Sequence, residues 1–266
     1  MWRATLKGIL AGKVRLALTA LAIVLGVSFV AGTYVLGDTL NKTFDNLFAS
    51  AFEGTDVVVQ GAADISDTNR PPVPEELLGR VRAVDGVAAA EGEVFGTAQL
   101  IDPGGRAVST AGAPTLGFSW TEDADLNPFG VLEGRAPAAA GEIAIDRDTA
   151  DEGGFALGQR VRVILPEGVR TFTLVGVVGF AGESGLAGAT STLFTLPEAQ
   201  RAFNLEGLLG AINVRGEEGV SPGELASRIQ ALLPAGIVAE TAQDVQQQQA
   251  DQIKDQLRII TISLLV

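Results

Sequence analysis

Asp56-Val57-Val58-Val59-Gln60 and Ala211-Ile212-Asn213-Val214-Arg215 are the two stretches that decide the fold. Each is a short apolar run, and the same series of signals follows each. After the first come Pro74-Glu75-Glu76-Leu77 through Val84, then Gly86-Val87-Ala88. After the second come Ser221-Pro222-Gly223-Glu224-Leu225 through Leu233, then Gly236-Ile237-Val238. Both read as strand, proline-started helix, glycine, strand. Leu77, Val81 and Val84 match Leu225, Ile229 and Leu232, each set at i, i+4 and i+7, the spacing of one buried helix face. Ser221 and Glu224 have the spacing of a capping box, with Pro222 at the first helical position. Two βαβ units of this kind form one split ferredoxin-like layer, so 53–95 and 207–240 are expected to be its halves.

Everything between the halves, residues 96–206, is then an insertion. It reads as short strands at 97–102, 107–111, 142–146, 160–165 and 171–180. Pro103-Gly104-Gly105 and Pro166-Glu167-Gly168 mark turns. Regular short strands suggest a small sandwich or barrel. Pro197 through Phe203 reads as a short helix.

Outward from the core, the pattern changes to helical stalks. Leu36, Leu40, Phe44, Leu47, Phe48 and Ala51 share one helix face over 37–52. On the other side, Thr241 and Asp244 make a cap for a helix over 241–258. There Val245, Ile253 and Leu257 trace a stripe interrupted by Gln249, continuing to Ile260 and Leu264. Two such stripes are expected to bury against each other.

Further out, Leu16 to Leu36 is uncharged over its whole length, and about 20 such residues cross the hydrocarbon core as a helix. A signal peptide has a shorter apolar region and a small-residue cleavage site; a retained transmembrane helix at 16–36 fits better. Ala22 and Gly26, and Ser28 and Gly32, are four apart, a spacing that allows close helix packing in lipid, although Gly and Ala are common throughout this chain. Residues 1–15 carry Arg3, Lys7, Lys13 and Arg15 and no acid. Trp2, Leu6, Ile9 and Leu10 give them an amphipathic face, as in a helix lying on a membrane surface. Residues 259–266 are apolar and are expected to begin a second transmembrane helix. A buried C-terminal core helix is the alternative.

Charge sets the orientation. All 32 acidic residues lie between Asp38 and Asp255, and only 14 basic residues share the segment 38–256. Basic flanks stay in the cytoplasm, so 1–15 is expected inside and about 38–256 outside. The formal net charge of −13 argues against nucleic acid as a partner. The chain has neither His nor Cys, which excludes His/Cys zinc sites, cysteine nucleophiles and Ser-His-Asp triads. No phosphate-binding G-x-x-x-x-G-K-[ST] motif occurs. Gly182-Glu183-Ser184-Gly185-Leu186 misses a nucleophile elbow at its last position. Asp123, Asp125 and Asn127 begin a calcium-loop pattern, but Pro128 and Gly134 break it. No catalytic, metal or cofactor-binding residue is assigned. The fold class is α+β: a transmembrane helix, an extracytoplasmic split ferredoxin-like core with a β-rich insertion, helical stalks and the start of a second span.

GKVRLALTALAIVLGVSFVAGTYVLGDTL, from Gly12 to Leu40, resembles the start of FtsX-like, MacB-type ABC transporter permeases. Leu132-Glu133-Gly134-Arg135-Ala136-Pro137 followed by Gly141-Glu142-Ile143-Ala144-Ile145-Asp146 resembles their periplasmic core. So do Gly158 to Val163, where Gln159 replaces the family's frequent Asp, and Phe172 to Gly179. The resemblance covers nearly the whole chain. It implies a permease subunit with no ATPase of its own. Its partners would be a separate cytoplasmic ABC ATPase, a second permease copy or paralogue, and membrane lipid in a bacterial cell membrane. It also implies mechanotransmission, in which the ATP cycle moves the external domain. Leu40, Phe44, Leu47, Phe48, Val245, Ile253 and Leu257 are then expected to couple the stalks, and Ala22, Gly26, Ser28 and Gly32 to pack the span. Trp2, Arg3, Lys7, Lys13 and Arg15 would face the cytoplasm. A membrane-anchored ligand-binding or sensor module is the competing reading.

Overall fold

The computed structural model describes residues 13–62, 70–108, 110, 113–186 and 188–251, with side chains at 13–14, 34 and 36–49 outside the description. The chain divides into two units, 47–247 and a second made of 1–46 with 248–266.

The described part of the second unit is residues 13–46 of one helix, α1 (Lys13–Ala51), and the short helical stretch 248–251. Within it, Arg15–Thr33 has a mean hydropathy of 2.2 and none of it is buried. Leu18, Ile23, Val27 and Phe29 are all exposed. By length and composition this segment can cross a membrane. Thr19 and Thr33 place their hydroxyls on the carbonyls four residues back, so neither polar group needs water.

The unit 47–247 is built on a four-stranded antiparallel sheet. Its strands are β1 (Val57–Gly61), β3 (Val87–Glu93), β13 (Ala211–Gly216) and β14 (Ile237–Thr241), in the order β14-β1-β13-β3. With α2 (Glu76–Arg82) between β1 and β3, and α5 (Pro222–Gln230) between β13 and β14, this is the split ferredoxin-like arrangement. Alternation explains the layering. Val57, Val59, Ile212 and Val214 pack into one buried cluster with Leu77, Val81, Leu225 and Ile229. Val58 points to the opposite face. Ser221 caps α5 by accepting from the Glu224 N–H at 3.3 Å. Glu224 does not complete the box; its carboxylate takes Arg228 instead. Pro74 does not start α2. It lies in β2 (Val73–Pro74), paired with β12 (Leu208–Leu209), and the helix begins two residues later.

The insertion closes on itself. β4 (Phe95–Thr97) pairs with β6 (Thr115–Ser119), and β5 (Gln99–Ile101) pairs with β9 (Arg160–Leu165). Only Ala98 separates β4 from β5. The path β4-β6-β11-β8-β10-β9-β5 therefore returns to its start, a barrel rather than a sandwich. β8 is Glu142–Asp146, β10 Gly168–Phe180 and β11 Thr190–Phe194. β7 (Phe129–Gly134) stands outside the ring, paired to the second half of β10. The stretch expected as a strand at 107–111 contributes an isolated bridge from Ala107 to Ile101. Two helices cover the barrel: α3 (Arg147–Gly153) and α4 (Leu196–Ala202). Phe172, Phe194 and Phe203 stack edge to face inside it.

Candidate functional site: the root of the two helices

The last residues of α1 run into β1, and β14 runs into the helix at 242–251, here α6. β1 and β14 are neighbours, and Val57 pairs with Thr241. Both helices are therefore rooted at the same end of adjacent hydrogen-bonded strands.

Asp56 is the hub. Its N–H donates to the Val214 carbonyl at 2.8 Å, and its own carbonyl accepts from the Ala242 N–H at 2.9 Å. Its carboxylate accepts from the Gly216 N–H at 2.7 Å. One residue thus extends the ladder to both β13 and α6. Thr241 then caps α6: its hydroxyl accepts from the Asp244 N–H at 3.1 Å and donates to the Asp244 carboxylate at 2.7 Å. Beneath this ladder, Val58, Ala242 and Val245 form a small buried cluster against Phe52 and Ala211. Val245 is 2% exposed. Phe52 closes the end of α1 and Val245 lies in the first turns of α6, so the cluster wedges the two roots against the sheet.

The barrel holds the α1 side. Gly54 has φ +78°, and a Cβ there would lie 1.9 Å from the Asp125 carbonyl oxygen, so the turn after α1 requires glycine. Arg215 on β13 reaches Asp123 at 3.2 Å and Asp125 at 3.4 Å. Asp123 also accepts from the backbone N–H groups of Asp125 and Leu126. Asn127 donates to the Thr121 carbonyl and accepts from the Phe129 N–H. These side chains hold a turn and an arginine. Among the described residues no group of three His, Cys, Asp or Glu side chains could hold a metal.

A second set of contacts stiffens the barrel. Glu142 takes Arg135 in a two-pronged pair and accepts from the N–H groups of Ala138 and Ala139. The Arg135 fork, helped by those N–H groups, pulls the Glu142 carboxyl down to about 2. Glu198, almost fully buried, binds Arg170 and Arg201 and accepts from the Gly141 N–H. Burial raises the Asp146 carboxyl, although it caps α3 by accepting from Thr149 and also takes the Ser191 N–H.

Of the residues singled out from sequence, Val245 falls in the root cluster. Leu40, Phe44, Leu47 and Phe48 fall on the helical backbone of α1, and their side chains lie outside the description. Ile253 and Leu257 lie outside the described residues, as do Trp2, Arg3 and Lys7. Lys13 begins α1, with its side chain outside the description, and Arg15 is exposed. Ala22, Gly26, Ser28 and Gly32 are exposed, and a Cβ at Gly26 or Gly32 would meet nothing within 4 Å. Asp56, Gly54, Phe52 and Arg215 were missed. The signal for Asp56 was weak: one acid directly before the run Val57-Val58-Val59.

Residues 16–232 match the MacB-like periplasmic core domain family. The chain is similar to the crystal structure of the periplasmic region of MacB from Actinobacillus actinomycetemcomitans. The identity is 13% and the TM-score 0.56, over 74% of this chain and 94% of that one. It is also similar to the extracellular domain of the noncanonic ABC-type transporter YknZ from Gram-positive bacteria. There the identity is 13% and the TM-score 0.50, over 69% of this chain and 98% of that one. A search of curated proteins returned no match. At such low identity the two structures speak for the fold, and the family match carries the assignment: the chain belongs to the MacB-like periplasmic core domain family of FtsX/MacB-type ABC transporter permeases, joined to an N-terminal helix long and apolar enough to cross a membrane.

Proposed function

We infer that the chain is the mechanical part of an ABC transporter permease. A separate cytoplasmic ATPase hydrolyses ATP, and the helices pass the resulting displacement to the extracytoplasmic domain. The observation that carries this reading is the pairing of Val57 with Thr241. Load on either helix enters the same two-strand ladder. Helices suit the task because their backbone bonds are internal to the segment.

In this reading the basic residues Arg3, Lys7, Lys13 and Arg15 keep the N-terminus in the cytoplasm, and Trp2 anchors it at the lipid interface. Ala22, Gly26, Ser28 and Gly32 pack the span against a neighbouring helix of the permease or of a second copy. Leu40, Phe44, Leu47 and Phe48 face the stripe of Val245, Ile253 and Leu257, so that the two stalks move together. The test is ATP turnover by the full-length permease with its ATPase, carrying Phe44→Asp or Leu47→Asp. Hydrolysis uncoupled from movement of the external domain is expected. Coupling as tight as in the unmodified protein overturns the stalk assignment.

A further inference from the structure

β7 is an open edge. It hydrogen-bonds to β10 on one side, and no other described strand pairs with it. Its sequence, Phe-Gly-Val-Leu-Glu-Gly, contains neither Lys nor Pro, the residues that usually blunt an exposed edge. Val131 is 42% exposed and Leu132 53%. Adjacent apolar side chains on an unpaired edge form a template for another strand.

The first three residues of β7 also line a cleft of about 720 Å³, together with Trp120, Glu53, Glu122 and Asp125. Glu53 and Glu122 are exposed, and neither pairs with a cation among the described residues. Arg215, the one cation in the wall among the described residues, is already engaged by Asp123 and Asp125. The surplus negative charge is felt nearby: Glu91 is held above the usual carboxylate range by burial, opposed by Arg82, with Asp123 and Glu122 pushing the same way as burial.

We propose that the β7 edge and its acidic cleft bind an extended basic segment of a partner polypeptide, which adds a strand to β7 and places Lys or Arg beside Glu53 and Glu122. Two features fix the class of partner. Only a polypeptide offers the row of N–H and C=O groups that an open edge pairs with. A second copy of this chain is disfavoured because each copy carries a net charge of −13, and like charges are repelled across an interface; Glu133, the one charge within β7, is already paired with Arg147. The inference stands apart from the mechanical reading, since it needs no motion of α1.

The test uses the full chain in nanodiscs of zwitterionic lipid, with empty nanodiscs as the control. The probe is a fluorescent Lys-Val-Lys-Val-Lys-Val-Lys peptide. Its Glu-Val counterpart and a backbone N-methylated Lys-Val form are run beside it. Saturable binding of the Lys-Val peptide is expected, with slowed amide exchange at 129–134. Glu53→Gln with Glu122→Gln, or Val131→Lys alone, is expected to weaken it by about tenfold or more. All three positions are exposed, so the fold is retained, and circular dichroism checks this. The proposal is overturned by no binding above empty nanodiscs, by equal binding of the Glu-Val or N-methylated peptide, by unchanged binding to the variants, or by protection confined elsewhere.

Discussion

β1 and β7 are strands of similar length with opposite surroundings. Every residue of β1 is buried, and both its neighbours are strands. In β7 only Phe129 is buried and one edge is open. Burial on both faces and pairing on both edges suit β1 to the load-bearing part that the proposed function gives it. An open edge with exposed Val131 and Leu132 contributes little to the fold and remains available. The two proposals thus fall on different strands, force on β1 and recruitment on β7.

The sharpest way to break this comparison is to place the same charge in both strands. Val58→Asp puts an unpaired carboxylate among Val245, Ala242 and Phe52 and is expected to cost about 3 kcal/mol or more. Val131→Asp on the exposed face of β7 is expected to change stability by less than about 0.5 kcal/mol. Urea denaturation of the two variants measures both. Equal losses would mean that β1 is not the stiffer element.

Gly54→Ala is the next largest. It meets the Asp125 carbonyl in a left-handed turn and is expected to cost about 1–3 kcal/mol. The same experiment reads it, and the loss should come with faster proteolysis near residue 54. Thr241→Ala removes the α6 cap at an expected cost of about 1 kcal/mol, with Thr241→Ser retaining most of it.

The smallest effect sharpens the β7 side. Arg135 leaves the end of β7 and forks onto Glu142. The folded carboxyl sits at about 2, below the ordinary value of about 4.3. Its stabilisation is therefore complete above the unfolded value and fades as pH falls through that window toward about 2. Glu142→Gln is expected to lower the melting temperature at pH 6 and to converge with the unmodified protein near pH 2. A constant gap across that range would contradict this assignment.

How much was readable follows from these same strands. The two sheet halves were legible because the short apolar runs around Val57–Val59 and Ile212–Val214 are followed by the same series of turn and helix signals, in which Leu77, Val81, Leu225 and Ile229 keep a helical period. The barrel was harder. β11 is entirely buried, yet it begins Thr190-Ser191-Thr192, so it shows neither alternation nor an apolar run. β6 contains Gly117 where a larger side chain would meet Phe203 and Ala98. β7 carries no strand signal of its own, because Gly130 and Gly134 interrupt it and only Phe129 is buried. α3 reads Arg-Asp-Thr-Ala-Asp-Glu-Gly with no apolar stripe and is fixed by the Asp146 cap. The root was half legible. Thr241 and Asp244 carried a cap signature, and Val245 sat on an expected stripe. Asp56 and Arg215 owe their roles to partners on other strands, and no local pattern marks those.

The most direct test of force passing through the root is amide exchange in β1 and β14, at 57–61 and 237–241. It is measured in the full permease–ATPase complex with and without a non-hydrolysable nucleotide, since load on a ladder alters its local opening. The account predicts a nucleotide-dependent change in both strands that disappears when Gly-Ser-Gly is inserted between Thr241 and Ala242. Exchange in β1 and β14 that is indifferent to nucleotide in the intact chain would contradict it.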